Sequence, residues 1–175
     1  MIPDRIFIVG FLGSPKLEVG TALAEKLDRP VFDLEKMIEA SARMPIKDIY
    51  RKEGDSGYRQ RERRALVTAA TGPPAVIVTG AGTFVDRGNR QTIAQSGVSV
   101  YVEASLEQCL AGALEKGLLR PDDESNERFT NLYDIRVREY EKADVIVDAV
   151  DRDPDAVADD IVQMLEERVW SRETT

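Results

Sequence analysis

The chain has 175 residues, 42% of them apolar and 32% charged, which is typical of one globular domain with a single hydrophobic core. Its formal net charge of −8 disfavours nucleic acid binding, and the absence of histidine excludes imidazole chemistry. No apolar run approaches the roughly 18 residues of a membrane span, and with one cysteine and no signal-peptide pattern we expect a cytoplasmic protein.

The first element is an apolar, β-branched run at residues 6–9, which predicts a buried parallel strand. It leads directly into a loop of small residues and then into an apolar pattern of helical spacing. A strand, a glycine-rich loop and a helix N-terminus form the setting in which backbone N–H groups bind phosphate. The loop matches the pattern G-x-x-x-x-G-K-[ST] at Gly10 and Lys16, but Pro15 stands at the second glycine and Leu17 at the Ser/Thr position.

The rest of the chain alternates between strand-like and helix-like segments. Further strands are predicted at 30–32, 75–79, 98–102 and 145–147, and further helices at 35–42, 46–70, 106–114 and 155–169. The long helix is expected to be interrupted at Gly54 and Gly57. The alternation predicts an α/β fold with a parallel sheet covered on both faces. We expect one domain over residues 1–171 and a tail at 172–175.

Six motifs follow one another along nearly the whole chain. They are Gly10-Phe11-Leu12-Gly13-Ser14, Phe32-Asp33-Leu34-Glu35, the segment Gly54-Asp55-Ser56-Gly57-Tyr58-Arg59 with Glu62, Thr79-Gly80-Ala81-Gly82, Arg120-Pro121, and Arg136 with Tyr140 and Ala143-Asp144. Together they resemble the shikimate kinase family. The resemblance implies a single-domain P-loop fold, with five parallel strands in the order 2-3-1-4-5 and a mobile lid near residues 117–131.

The resemblance also implies a reaction and its catalytic residues. The reaction is ATP-dependent phosphorylation of the 3-hydroxyl of shikimate, with Mg²⁺, in aromatic amino-acid biosynthesis. Lys16 would neutralise phosphate charge, Asp33 would hold Mg²⁺ through water and orient or deprotonate the hydroxyl, and Arg120 would close over the transferred phosphoryl group. Arg59 and Arg136 would clamp the shikimate carboxylate.

The remaining implied site residues fall into two groups. On the substrate side, Glu35 would bind hydroxyl groups, and the backbone of Gly80, Ala81 and Gly82 would line the same pocket. On the nucleotide side the implied contacts are Gly10, Gly13, Ser14, Pro15, Lys16, Leu17, Glu18, Arg120 and Pro154.

Several nucleotide-side positions depart from the family pattern. Pro15 removes one N–H from the phosphate cradle and fixes its own φ. Leu17 has no hydroxyl for Mg²⁺. Glu18 brings a negative charge towards the α-phosphate, and two unit charges about 4 Å apart interact by about 4 kcal/mol at an effective dielectric near 20. Ala113 stands at the position matched to the adenine-stacking arginine of the family.

These departures leave three functions open. The first is an active shikimate kinase in which water replaces the missing metal ligand. The second is a non-catalytic relative that uses neither ATP nor Mg²⁺ and binds shikimate, a similar hydroxy-acid or an unknown protein partner. The third is a kinase for another small acid or sugar, suggested by Glu35 and Ala81, each one carbon larger than the family residue. Because the losses fall on the nucleotide side, we favour impaired or absent kinase activity. We also expect a monomer that binds neither nucleic acid nor a membrane.

Overall fold

A five-stranded parallel sheet in the order β2-β3-β1-β4-β5 forms the centre of the molecule, as the resemblance implied. The computed structural model describes the backbone of residues 1–173 and the side chains of residues 1–122 and 124–168. The strands are β1 Arg5–Val9, β2 Val31–Asp33, β3 Ala75–Val78, β4 Val98–Glu103 and β5 Val145–Asp148. The helices are α1 Lys16–Lys26, α2 Leu34–Ala42, α3 Ile46–Thr71, α4 Arg87–Ser96, α5 Leu106–Glu115, α6 Asp123–Tyr140 and α7 Pro154–Glu173, with a 3-10 turn at Thr83–Val85.

The sheet separates two hydrophobic layers, because successive side chains of a strand point to opposite faces. In β1, Ile6 and Ile8 pack into the layer under α1 and α7, whereas Phe7 and Val9 pack into the layer under α2 to α6. All four side chains are fully buried. The continuous apolar runs therefore follow from burial on both faces, as expected for a parallel sheet.

The chain order places a crevice at the carboxyl edge of the sheet. From β1 the chain crosses to β2 and β3 on one side and then to β4 and β5 on the other. Connections that diverge in this way leave a crevice outside the carboxyl ends of the strands, where open α/β sheets bind ligands. The loop of residues 10–15, the start of α2 and the turn after β3 all lie at this edge.

The loop after β1 is in direct backbone contact with α5. Gly13 has φ +77°, and a Cβ added there would lie 2.0 Å from the carbonyl oxygen of Cys109. A Cβ added at Gly112 would likewise lie 2.1 Å from the carbonyl oxygen of Gly13. The loop can approach α5 this closely only because both positions are glycine.

Three predicted boundaries differ from the structure. Helix α3 bends only at Gly54 (φ 70°, ψ −174°), and Gly57 keeps helical geometry, so the predicted interruption at Gly57 is wrong. Residues 123–131 of the expected lid belong to α6. Helix α7 extends to Glu173, two residues into the expected tail, and 174–175 lie outside the described residues. Within the described part of the chain, no helix is long and apolar enough to span a membrane.

Gly13→Ala is expected to lower the free energy of unfolding by about 3 kcal/mol, since a left-handed φ costs about 1–2 kcal/mol and displacing the loop from α5 adds about 1–3 kcal/mol. Gly117→Ala is the matched control, because Gly117 has φ +68° but nothing within 4 Å of an added Cβ. Its expected cost is about 1 kcal/mol. Equilibrium urea unfolding of both variants provides the measurement, and equal losses would contradict the close packing at Gly13.

Candidate functional site

Two adjoining clefts open at the carboxyl edge of the sheet. The first, here called the loop cleft, lies between residues 11–18, the end of β3 and the end of α5. The second, here called the arginine cleft, lies between α3, the turn after β3 and α6; its volume of about 570 Å³ is in the range of small-molecule sites. Leu12, Glu35 and Leu118 line both clefts, so the two spaces are continuous.

Lys16 is the cation at the base of the loop cleft. Its Nζ donates to the carbonyl oxygen of Thr79 at 2.9 Å, and the buried Thr79 hydroxyl donates to the carbonyl oxygen of Ile8 at 2.8 Å. Burial lowers the pKa of Lys16 to about 8, while the nearby Glu35 and Asp33 act in the opposite direction. At neutral pH the side chain is therefore mainly protonated and held close to the ends of β1 and β3.

Two carboxylates stand beside Lys16 and have different surroundings. Asp33 caps α2, because its Oδ1 accepts from the N–H of Glu35 at 3.0 Å. Asp33 lines the loop cleft, whereas Glu35 lines both clefts. Burial raises the pKa of Glu35, and the charge of Lys16 opposes that rise. Glu35 is thus the carboxylate at the junction of the two clefts.

Arg59 is held in the arginine cleft by a buried carboxylate. Its Nη1 donates to Oε1 of Glu62 at 2.9 Å, and Oε2 of Glu62 accepts from the hydroxyl of Thr83 at 2.9 Å. The Glu62 side chain is only 1% exposed. The guanidinium also lies against Gly82, where an added Cβ would be 2.7 Å from Nη1. A glycine at 82 therefore leaves the room that Arg59 occupies.

Arg136 reaches the same cleft from the opposite side. It lies on α6 and lines the arginine cleft together with Arg59, Ala81 and Gly82. Across the described residues, Arg136 forms no ion pair with a carboxylate. One turn further along α6, the hydroxyl of Tyr140 donates to the carbonyl oxygen of Ala81, which ties this helix to the turn after β3. Two guanidinium groups, one without an ion-pair partner, thus face one space.

The loop offers fewer phosphate donors than the sequence pattern suggests. The N–H and the hydroxyl of Ser14 both donate to the carbonyl oxygen of Phe11, at 3.2 and 2.7 Å, and Ser14 is 3% exposed. Pro15 has no N–H and supplies no side-chain cap to α1. Two consecutive loop positions therefore have no free amide donor.

The remaining loop positions carry an apolar and an acidic side chain. Leu17 is 42% exposed and lines the loop cleft at the position matched to a metal-binding hydroxyl. Glu18 pairs with Lys116, with 3.3 Å between Oε1 and Nζ. The described residues contain no group of three or more acidic, cysteine or histidine side chains placed to hold a metal ion.

Three predicted nucleotide-side positions lie away from the loop cleft. Arg120 is exposed in the connection between α5 and α6, and Pro154 is the first residue of α7; neither lines one of the two clefts. Ala113 is fully buried, with its N–H next to Gly13, so the alanine itself offers no surface to a nucleotide. The match of position 113 to a stacking arginine stays a prediction.

Lys116 and Tyr58 are cleft residues that the sequence reasoning missed. Lys116 follows the last turn of α5 and lines the loop cleft. A cation directly after an amphipathic helical segment is typical of a helix C-terminus, so the position of Lys116 could have been recognised from the sequence. Tyr58 lines the arginine cleft and stacks on Tyr50 with 4.4 Å between ring centroids.

Comparisons with known proteins agree with this geometry. The family model for shikimate kinase matches residues 12–166. The chain belongs to the shikimate kinase family. It is 36% identical over 145 residues to the shikimate kinase of Ruegeria pomeroyi, covering 81% of this chain and 74% of that protein. It is 34% identical over 158 residues to the shikimate kinase of Paramagnetospirillum magneticum, covering 89% and 80%.

Solved shikimate kinase structures share the fold. The shikimate kinase from Acinetobacter baumannii in complex with shikimate superposes with a TM-score of 0.89 at 27% identity, covering 96% of this chain and 95% of that one. The shikimate kinase from Aquifex aeolicus gives a TM-score of 0.80 at 28% identity, covering 95% and 98%. The predicted family and fold are therefore confirmed.

Glu62→Gln is expected to lower the free energy of unfolding by about 2–3 kcal/mol, because it weakens a charge-assisted hydrogen bond to Arg59 at a buried position. Asp55→Asn is the matched control: Asp55 also faces Arg59, at 3.6 Å from Nε, but its side chain is 76% exposed. The control should cost about 0.5 kcal/mol or less. Urea unfolding measures both, and equal costs would show that burial of Glu62 is unimportant.

Lys16→Met is expected to raise stability at neutral pH, since the folded protein buries a charged ammonium there. The Lys16 pKa of about 8 in the folded state lies below its ordinary value of 10.5. Between these values the unfolded chain binds the additional proton, so wild-type stability rises with pH. The free energy of unfolding of Lys16→Met should exceed that of the wild type by at most about 3 kcal/mol at pH 7, and this difference should shrink from pH 8 to 10.5. Urea unfolding across that range tests this, with the exposed Lys52→Met as control; a pH-independent advantage contradicts it.

Proposed function

We propose that this shikimate kinase family member binds shikimate or a similar hydroxy-acid in the arginine cleft, and that its ATP-dependent phosphoryl transfer is strongly impaired. One observation carries the proposal: a complete pair of arginines faces the arginine cleft, while the adjoining loop cleft lacks free donors at positions 14 and 15 and a hydroxyl at position 17. The arginine pair concerns recognition of the acid, and the missing groups of the loop cleft concern phosphoryl transfer.

Recognition of a hydroxy-acid follows from the charges around the arginine cleft. Arg59 is oriented by Glu62, and Arg136 has no ion pair among the described side chains, so a carboxylate between them can accept from both guanidinium groups. Glu35, at the junction with the loop cleft, can accept a hydrogen bond from a hydroxyl of the same ligand. The relative from Acinetobacter baumannii binds shikimate, a ring that bears one carboxylate and several hydroxyls.

Impaired phosphoryl transfer follows from the residues of the loop. A P-loop stabilises the transition state with backbone donors and holds Mg²⁺ through its Ser/Thr hydroxyl. Pro15 and the engaged amide of Ser14 remove donors, and Leu17 offers no oxygen. The residues present do not fit a magnesium nucleotide bound through this loop. Loss of one preorganised donor commonly lowers kcat by about 10²–10³.

Two alternatives keep specific support. The protonated Lys16 next to Asp33 and Glu35 favours residual kinase activity. The longer Glu35, which lines both clefts, favours a kinase for another small hydroxy-acid or sugar. A monomer in the cytoplasm, with any protein partner still to be identified, remains our prediction for the cellular form.

The triple variant Pro15→Gly, Leu17→Ser, Glu18→Thr tests the lesion directly. We expect it to raise turnover in a coupled ATP and shikimate phosphorylation assay by at least about 10²-fold over the wild type, because it restores a donor, a metal ligand and local neutrality. Shikimate binding, measured by calorimetry without nucleotide, should be the same in both proteins because the arginine cleft is unchanged.

Adding Arg136→Gln to the triple variant is the control, and it should abolish both the gained turnover and the binding of shikimate. Wild-type turnover equal to that of the triple variant would show that the loop is not a lesion. Turnover with another hydroxy-acid, but not with shikimate, would assign a different substrate.

A further inference from the structure

An ion pair spans the opening of the loop cleft. Lys116, the residue directly after α5, has its Nζ 3.3 Å from Oε1 of Glu18 in the first turn of α1. Both side chains line the loop cleft, and they are 44% and 46% exposed. The pair therefore joins the helix that begins the phosphate-binding loop to the connection that follows α5.

Backbone hydrogen bonds hold the segments of both partners. Glu18 belongs to α1, whose next residues Val19 and Gly20 are buried, and the N–H of Val19 bonds to the carbonyl oxygen of Pro15 at 2.9 Å. Lys116 is followed by Gly117, which has φ +68° and no heavy atom within 4 Å of an added Cβ. The backbone of Lys116 is held as well, since its N–H bonds to the carbonyl oxygen of Gly112 at 3.0 Å and the N–H of Leu118 bonds to that of Ala113 at 2.8 Å. An exchange of partners therefore moves the side chain of Lys116 and not its backbone.

The ion pair between Lys116 and Glu18 is also weak enough for another anion to replace Glu18. A half-exposed ion pair of this kind contributes little, because water screens it and both long side chains lose freedom. A phosphate group carries close to two negative charges at neutral pH, against one on Glu18. An anion at the N-terminus of α1 would also be favoured by the helix dipole. A phosphate-bearing ligand thus competes for Lys116 with an advantage over Glu18.

Few other cationic side chains of the loop cleft could bind such a ligand. Lys16 is its other lysine, and its Nζ already donates to Thr79. Positions 14 and 15 supply no free amide, and the exposed Arg120 does not line this cleft. Lys116 is therefore the cation that lines the cleft and is not tied to the sheet.

We propose that Lys116 is an anion-binding residue of the loop cleft and that Glu18 holds it in the ligand-free protein, so that a phosphate-bearing ligand binds by taking Lys116 from Glu18. The inference rests on the proposed function in treating the loop cleft as the phosphate side of the site. It does not require phosphoryl transfer. Glu18 then acts on anions in two ways, by direct repulsion and by occupying Lys116.

A double-mutant cycle separates these effects. Pyrophosphate without metal is titrated calorimetrically into the wild type, Glu18→Gln, Lys116→Gln and the double variant. Exchange predicts that Glu18→Gln tightens binding about tenfold when Lys116 is present and about threefold or less when it is absent. If Lys116 only shields the ligand from the charge of Glu18, Glu18→Gln should tighten binding more when Lys116 is absent than when it is present. If the effect of Glu18→Gln on affinity is the same with and without Lys116 to within about twofold, which is the usual limit of additivity, the proposal is overturned.

Three controls fix the location of the ion. Glu25→Gln changes the net charge as Glu18→Gln does, at an exposed position of α1, and Lys52→Gln changes it as Lys116→Gln does, at an exposed position of α3. Each of these two controls should alter affinity by less than about twofold. Lys16→Met should weaken pyrophosphate binding at least tenfold; unchanged affinity in this variant would place the ion elsewhere and overturn the proposal.

Hydrogen exchange supplies a readout that does not depend on affinity. At saturating pyrophosphate, amides of residues 116–122 should change protection in the wild type but not in Lys116→Gln, because only the lysine links the ligand to that segment. The same change in both proteins overturns the proposal, as does the absence of pyrophosphate binding in all four members of the cycle. Those results leave the proposed function standing, since shikimate binding and rescue of turnover test it separately.

Discussion

The backbone contact between the loop after β1 and helix α5 fixes the position of the loop, whose Leu12 lines both clefts. Gly13 and Gly112 meet so closely that a Cβ at either position would overlap a carbonyl oxygen of the other segment. The contact holds the loop against a helix that is itself packed on the sheet through the buried Cys109 and Ala113. Overpacking at such a contact cannot be relieved by a side-chain rotation, because both surfaces are main chain. The loop therefore keeps its place even though its phosphate-binding residues have changed.

The two clefts differ in how their functional groups are held. In the arginine cleft, Arg59 is oriented by the buried Glu62, which is anchored to Thr83, and α6 is tied to the turn after β3 through Tyr140. In the loop cleft, the donors are turned inward at Ser14 or missing at Pro15. This contrast between the two clefts is the basis of the function we propose, recognition of an acid with impaired phosphoryl transfer.

Much of the fold could be predicted from the sequence, because it depends on local patterns. The five apolar runs become the five strands, since burial on both faces requires continuous apolar residues. The helix caps at Asp33 and Ser105 are likewise local, because each side chain accepts a backbone hydrogen bond from the first turn of its own helix. The strand order came from the resemblance, because pairing between distant strands leaves no local pattern.

The site could be predicted only where a motif carried it. Arg59, Arg136, Glu35 and Lys16 were found because ordered motifs contain them, and they line the clefts. The pairing of Lys116 with Glu18 could not be found, since the two residues are 98 positions apart and meet only when α5 packs on the loop. The burial of Ala113 has the same origin, because spacing along a chain does not reveal which side of a helix is buried.

The bend in α3 separates the long helix into two mechanical parts. The backbone turns at Gly54, which has open space around it, and the guanidinium of Arg61 forms two hydrogen bonds of 2.8 Å to the carboxylate of Glu53 across the bend. The segment before the bend carries Tyr50, one wall of the arginine cleft. One glycine and one bidentate ion pair thus mark the junction between that wall and the rest of the helix, and none of the three residues lines the cleft itself.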